Sequence, residues 1–244
     1  SLNRINDLIE EGANPVGLSA TFQISPNVFF ALKESGILHP RDLVGKKVGI
    51  KSNSWRERVH GTLEQIGLDP SEIVEVEVDF DAMDLLYDGT VDVWTGFIND
   101  EVVAARNQGH DVDLIFPADY AIGDYEGVIT QLESNRLRDP ALAERFVRAS
   151  LRGWEYAIQN PEEAAEIMTR WNDQHDLDFY QAAIHELVPL VDTGQVPIGW
   201  IDGARWQREL SAQGATPDEA AGHYNLEALL SIPANRSWFA TVKQ

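Results

Sequence analysis

The sequence contains no cysteine, which removes disulfides, thiolate metal sites and cysteine nucleophiles together. It is also poor in positive charge. Against 40 Asp+Glu stand 19 Lys+Arg, only five of them lysines, for a net charge of −21. Nucleic-acid phosphates need Lys and Arg to replace their counterions, so this balance argues against a nucleic-acid partner. It argues equally against adsorption to an anionic membrane surface, and a Lys-poor acidic surface suits salt-rich surroundings. No apolar run approaches the roughly 18–20 residues that span a bilayer. The first residue is Ser1, with neither a Met nor a basic-plus-apolar leader before the first helical pattern, so it reads as a processing or ordering boundary rather than a translation start. Internal repeats and low-complexity tracts are missing too.

What is present is a chain of 244 residues, 43% of them hydrophobic, enough to bury a sizeable core. The length exceeds the usual single-domain size of roughly 100–150 residues and allows two lobes or one large α/β domain. Strand-like and helix-like segments alternate. Leu2, Ile5, Leu8 and Ile9 share a helical face that ends at Asn14-Pro15. Residues 16–22 read as a strand, 27–32 as a strand or extended linker, and 47–50 as a short buried strand. Ser52-Asn53-Ser54 offers N-cap residues for a helix over 55–66, with Gly67 past its end. Residues 73–78 alternate Val and Glu and predict a half-exposed strand. Asp79 or Asp81 is placed to cap a helix over 82–87 that stops at Gly89. Strands at 91–97, 112–116 and 125–132, with a helix over 101–108 closed by Gly109, complete the pattern of a mostly parallel sheet covered by helices.

From Asp139 onward the reading is helical. A long helix over 140–159 is expected to turn Leu142, Phe146, Ala149, Leu151 and Trp154 inward. Asn160-Pro161 stops it and starts the next, over 162–171, followed by helices over 177–187 and 202–213. The tail from Asn225 carries apolar residues with little pattern. Trp154, Trp171, Trp206 and Trp238 read as packing residues.

Several chemistries find no support. The six histidines, at 39, 60, 110, 175, 185 and 223, include no pair four apart, and His185-Glu186 lacks the second His of a zinc-protease helix. The run Asp79, Asp81, Asp84, Asp88 lacks the Gly and late Glu of a calcium loop and reads as helix capping. Gly-x-Ser-x-Gly, the phosphate-binding P-loop and the dinucleotide glycine fingerprint do not occur. Ser54 and His60 sit six apart on one predicted helix and face different ways, which leaves a hydrolase triad unsupported. No metal and no cofactor is expected.

The remaining signal lies at strand ends. Open α/β sheets bind ligands at the carboxyl ends of their strands. Trp55 follows the strand at 48–50. Trp94, Thr95, Gly96, Phe97 and Asn99 lie at the end of the strand at 91–97, with Glu101 opening the next helix. Tyr120, Asp124 and Tyr125 follow the strand at 112–116. An aromatic ring beside a hydrogen-bonding group suits a small planar ligand, and backbone N–H groups at 54–56 are placed to hold an anionic or carbonyl group. Trp94 and Phe97 read as either strand core or ligand contacts, whereas Trp55 at a polar helix start reads as exposed.

These segments also carry a family resemblance. Ser35-Gly36-Ile37, with Pro40-Arg41-Asp42-Leu43-Val44-Gly45-Lys46-Lys47-Val48-Gly49, resembles a stretch of type II periplasmic substrate-binding proteins. So do Leu85 to Val93, the loop Phe97-Ile98-Asn99-Asp100-Glu101, and the helical segment from Asp139-Pro140 through Gly153-Trp154-Glu155-Tyr156-Ala157 to Asn160-Pro161-Glu162-Glu163-Ala164. Their order and spacing resemble the branch that takes up thiamine-pyrimidine precursors, sulfonates, taurine or nitrate.

The resemblance implies an α/β, two-lobed type II fold with hinge crossings near 27–35 and 128–133 and a ligand cleft between lobes. One lobe would comprise 1–37 and 126–244, the other 38–125. Members carry two or more strand–helix units ahead of the position matching Ser1, so a missing opening segment, and part of the cleft wall with it, is expected. The implied role is a non-enzymatic, periplasmic or extracytoplasmic protein that hands a small heteroaromatic or anionic solute, preferably a pyrimidine-like thiamine precursor, to the permease of an ABC importer. It would insert in no membrane itself, and a lipid anchor would lie outside these residues. Expected ligand-binding residues are Gln23, Ser52, Asn53, Trp55, Trp94, Asn99, Glu101, Tyr120 and Tyr125: the tryptophans and tyrosines stacking, Glu101 and Asn99 pairing with ring nitrogens or an amino group, Gln23 near the hinge. The same fold also serves as the sensor domain of membrane histidine kinases or diguanylate cyclases, which Pro197 to Trp206 resembles as well. A third use is synthesis of the thiamine pyrimidine, against which the scattered histidines speak.

Overall fold

The computed structural model describes residues 1–123 and 125–242. In chain order the elements begin with α1 (Leu2–Glu10), β1 (Pro15–Phe22), β2 (Asn27–Leu32), β3 (Lys47–Ile50) and α2 (Asn53–Gln65). Next come β4 (Val74–Glu77), α3 (Asp84–Tyr87), β5 (Trp94–Phe97), α4 (Glu101–Asn107), β6 (Val112–Ile115) and β7 (Glu126–Leu132). Helices then follow one another: α5 (Glu133–Arg138), α6 (Pro140–Gln159), α7 (Pro161–Trp171), α8 (Leu177–Val191), α9 (Gly203–Ala212), α10 (Pro217–Gly222), α11 (Glu227–Leu230) and α12 (Pro233–Val242). Among the described residues, no helix is long and apolar enough to cross a membrane.

The chain divides into two compact units, one of Ser1–Ser25, Asp124–Ile167 and Val188–Gln244, the other of Pro26–Gly123 and Met168–Leu187. Residues 27–37, assigned from the sequence to the first lobe, fall in the second unit because β2 is hydrogen-bonded there on both edges. It pairs antiparallel with β5, Asn27 opposite Phe97 through Phe30 opposite Trp94, and with β6, Phe29 opposite Ile115 through Leu32 opposite Val112. The choice between strand and linker at 27–32 is thereby settled as strand. β3 pairs parallel with β4 and is tied to the start of β5 by a parallel bridge, Val48 to Val93, with the Gly49 N–H donating to the Val93 carbonyl at 2.9 Å. The resulting order is β4-β3-β5-β2-β6, in which β2 alone runs in reverse. The expected mostly parallel sheet is corrected: among the described residues only the β3–β4 ladder is parallel, and β1–β7, β2–β5 and β2–β6 are antiparallel, because β2 runs against both of its neighbours. The ends of β3, β4 and β5 emerge along one edge. Its core is Phe29, Leu43, Val48, Ile50, Val59 and Leu63, with Val59 and Leu63 four apart on α2.

In the first unit, β1 and β7 form an antiparallel pair with an irregular register between Gly17 and Ser19. β1 is buried along nearly its whole length because it lies against two apolar clusters. Leu2, Ile5, Ala20, Ile201 and Trp206 form one; Val16, Leu18, Val147, Leu151 and Trp200 form the other.

Some local expectations are corrected. α6 buries Ala143, Val147 and Leu151, whereas Leu142 and Phe146 are exposed and Ala149 points to solvent. The buried face is the i, i+4, i+8 stripe of Ala143, Val147 and Leu151 that packs with Val16 and Leu18 of β1, not the one that carries Phe146. Asp79 and Asp81 cap nothing: α3 starts at Asp84 with Met83 at its N-cap and no side-chain capping bond. Gly89 does take the left-handed conformation, φ 78°, that lets the chain leave α3 at once. The tail is helical, as α11 and α12, and α10 precedes it. Trp171 is 86% exposed and not a packing residue, while Trp154 lies edge-on to Phe22 at 6.2 Å and Trp238 to Trp200 at 5.0 Å.

Candidate functional site

The edge where β3 and β5 end holds a buried ion pair. Lys51 directly follows β3, and its side chain is entirely buried. Its ammonium donates to Glu101 Oε1. Three rings surround it: Nζ lies 5.1 Å from the centre of Trp55, 5.3 Å from Phe80 and 5.8 Å from Trp94, within cation–π range. Glu101 opens α4 but folds back along β5, where Oε2 accepts the Phe97 N–H at 2.8 Å. Gly96 makes room for this: a Cβ there would lie 2.8 Å from the Glu101 carboxyl carbon. Beside the pair, Ile50, Lys51, Ser52, Asn53, Arg56 and Asp79 help line an open depression of about 360 Å³. Such a lysine is tolerated because its charge is paired and ringed; unpaired, the desolvation penalty would be prohibitive.

The expected residues fall into three groups. Trp94 and Glu101 come together around Lys51. Trp94 is fully buried, its indole N–H without a partner among the described residues, and its ring faces the Lys51 ammonium. Trp55 joins them but is buried, at 3% exposure, which corrects the expectation of an exposed ring. It sits edge-on to Phe97 at 5.6 Å, because the first turn of α2 lies directly over the sheet. Ser52 and Asn53 line the depression; the Ser52 hydroxyl bonds Ser54 Oγ at 2.9 Å, and Asn53 Oδ1 accepts from Arg56 at 2.6 Å. Asn99 is half-buried in the turn between β5 and α4.

Tyr120 stays in the second unit but elsewhere, in the short 3-10 turn Pro117–Tyr120, edge-on to His39 at 5.6 Å. Tyr125 and Gln23 belong to the first unit. Tyr125 is 1% exposed; its hydroxyl accepts the Asp202 N–H at 2.9 Å, and the Arg205 guanidinium lies 4.0 Å from its ring centre. Burial pushes its phenol above the ordinary value, against the opposing pull of the Asp202 N–H and Arg205. Gln23 spends its side-chain amide on the Ala20 and Trp200 carbonyls at 3.0 and 2.9 Å, and its own carbonyl accepts from Arg205 at 2.6 Å. Asp124 lies outside the described residues.

Sequence reasoning missed Lys51, Phe80 and Arg205. For Lys51 a signal existed: one of five lysines, set immediately after the apolar run Val48-Gly49-Ile50. Among the described residues, no group of three or more His, Asp or Glu side chains is placed to hold a metal ion.

Comparison with known proteins gives this geometry a context. The chain is 28% identical over 205 residues to the formylaminopyrimidine-binding protein of Halalkalibacterium halodurans, covering 81% of this chain and 62% of that protein. It is 27% identical over 196 residues to the riboflavin-binding protein RibY of Chloroflexus aurantiacus, covering 77% and 55%. A third relative, 28% identical over 170 residues, is the 4-amino-5-hydroxymethyl-2-methylpyrimidine phosphate synthase of Legionella pneumophila, covering 67% and 53%. The chain thus spans 53–62% of the length of these three relatives. Among solved structures, the periplasmic aliphatic sulphonate binding protein SsuA of Escherichia coli superposes with a TM-score of 0.69 at 17% identity, over 86% of this chain and 67% of that one. That likeness establishes the α/β fold of type II periplasmic binding proteins. The profile of the family described as NMT1/THI5 like matches residues 6–164, well over half of the sequence, and the chain belongs to that family.

Proposed function

We propose that this chain is the ligand-binding part of an extracytoplasmic solute-binding protein. It captures a small heteroaromatic or anionic solute, a pyrimidine-like thiamine precursor being favoured, and passes it to the permease of an ABC importer. The observation that carries the reading is the ring of Trp55, Phe80 and Trp94 around the Lys51–Glu101 pair at the ends of β3 and β5. The buried Trp55 and Trp94 rings hold the ion pair in place, and the exposed Phe80 ring next to Asp79 of the depression is the face open to a planar ligand. The two curated relatives named as binding proteins, one for a formylaminopyrimidine and one for riboflavin, both name heteroaromatic ligands.

A thermal-shift screen with pyrimidines, flavins, sulfonates and nitrate tests this. A ligand at a hundredfold excess over its dissociation constant stabilises the folded chain by about 2.7 kcal/mol, and one class in the screen should raise the melting temperature accordingly. Phe80→Ala, a change at a ring 64% exposed, should leave the unliganded melting temperature in place and shrink that rise. A flat screen would remove the solute-binding reading.

A second reading is favoured by the Legionella pneumophila relative, named as a pyrimidine phosphate synthase. On that reading the same edge holds a substrate that is turned over. Incubation with candidate precursors and detection of the hydroxymethylpyrimidine phosphate would decide for it.

A further inference from the structure

The chain passes between its two units at 25/26, 123/124, 167/168 and 187/188. Three of these passages meet at one cluster of the first unit. The Leu190 carbonyl, in the last turn of α8, accepts the N–H groups of Gln23 and Ile24 at 2.9 and 3.1 Å, which ties the passage at 187/188 to the one at 25/26. Arg205 of α9 donates to the Gln23 carbonyl at 2.6 Å and lies 4.0 Å from the Tyr125 ring centre. It also donates to Glu209, one turn further along α9, and Glu209 Oε2 accepts the Tyr125 N–H at 3.1 Å. One guanidinium–carboxylate pair thus grips the backbone next to both strand passages, and its side chains are only 23% and 12% exposed.

The needs of α9 itself do not explain this pair. Arg205 stands in the first turn of the helix and Glu209 in its last, each at the end of the dipole that disfavours its charge. Their order along the helix is also the weaker of the two i, i+4 arrangements. Next to the cluster, α8 has a built-in weak point. Pro189 lies inside it and has no N–H, so the helix lacks the rung from residue 189 to 185, across the passage at 187/188.

We propose that Arg205 and Glu209 form a positioning clasp that fixes the first unit's end of three passages. Flexing at those passages then falls on residues 25–26, on the link ahead of Tyr125, and on α8 between 185 and 189. Hinges are a few residues at element ends that absorb the backbone change. The inference goes beyond the solute-binding reading, since it holds whatever the chain binds. It also moves the flexing points away from 27–35 and 128–133, which belong mostly to β2 and β7.

Double electron–electron resonance tests this on the full chain. The absence of cysteine lets Glu57→Cys on α2 and Ala149→Cys on α6, both exposed, carry spin labels, one in each unit. The labelled chain should give a narrow distance distribution. Arg205→Met should broaden it, and so should Arg205→Lys, which keeps the charge and loses the planar fork. Leu151→Ala, in the core of the same unit and outside the cluster, should lower the melting temperature and leave the width as it is. A broad distribution in the labelled chain, an unchanged width in either folded Arg205 variant, or equal broadening by Leu151→Ala overturns the inference. If Arg205→Met fails to fold, Arg205→Lys decides by the same comparison.

Discussion

At the residue scale, Lys51 and Glu101 show why the candidate site was only half legible. Glu101 and Trp94 are readable from the sequence because each stands at a predicted strand end, where sheet topology collects ligand-binding groups. Lys51 lies 50 positions away from Glu101 along the chain. Their pairing exists because β3 and β5 are neighbours, a fact of strand order that no local pattern announces. Trp55 was misjudged for a related reason: polar neighbours in sequence say little about a ring that folds under them. The pair also sets an asymmetric energetic expectation. Breaking a buried ion pair leaves one charge uncompensated, at a cost of about 3–5 kcal/mol, whereas replacing both partners with apolar groups is often near neutral. Glu101→Gln should therefore lower the urea-unfolding free energy by about that amount, and the double change Lys51→Met with Glu101→Leu should lower it far less. A double variant as unstable as the single one would contradict this account of the pair.

At the element scale, one sequence motif has a direct structural cause. In Ser35 to Gly49, Asp42 Oδ2 accepts the Leu38 and His39 N–H groups at 3.0 and 2.9 Å, and His39 Nδ1 accepts the Arg41 N–H at 3.0 Å. This reciprocal cap shapes the 3-10 turn Pro40–Leu43 that feeds the chain into β3. The backbone bonds from Leu38 and His39 hold the Asp42 carboxyl below its usual 3.8. A carboxylate with a depressed folded-state pKa contributes stability above the unfolded-state value and loses it as the pH falls through the folded one. Asp42→Asn should thus be less stable than the unaltered chain at pH 7, and the two should converge below pH 3.8, which thermal unfolding across pH would record. Converging curves at neutral pH would count against the cap. α6 supplies the contrast between length and face. Its span from Pro140 to Gln159 is written in Pro140 and in Asn160-Pro161, but its buried face is not, because two adjacent stripes are apolar. Leu151→Ala should cost about 2–4 kcal/mol, while Phe146→Ala, at a ring 57% exposed, should stay within about 0.5 kcal/mol. Denaturant titration of the two variants checks the assignment, and the reverse ranking would refute it.

At the scale of the whole molecule, the net charge of −21 predicts self-repulsion that salt relieves. Raising the ionic strength from about 0.01 to 0.15 M shortens the Debye length from about 30 to 8 Å, so the melting temperature should rise over that range. A melting temperature that falls, or stays level, would mean that attractive ion pairs such as Arg56–Glu75 and Arg136–Glu133 outweigh the net repulsion. Composition, the alternation of strand and helix patterns, the Gly and Pro breaks and the motif order together determined the α/β class, most element positions, the family and the candidate strand ends. These are local quantities, set by side-chain period, backbone freedom and charge, and they survive being read one segment at a time. Tertiary structure alone decided which strands are neighbours, that β2 runs in reverse between β5 and β6, which face of α6 is buried, and that Lys51 closes on Glu101 inside three aromatic rings. Each of those is a contact between segments remote in sequence, and its energy comes from burying both partners together, so neither partner records it alone.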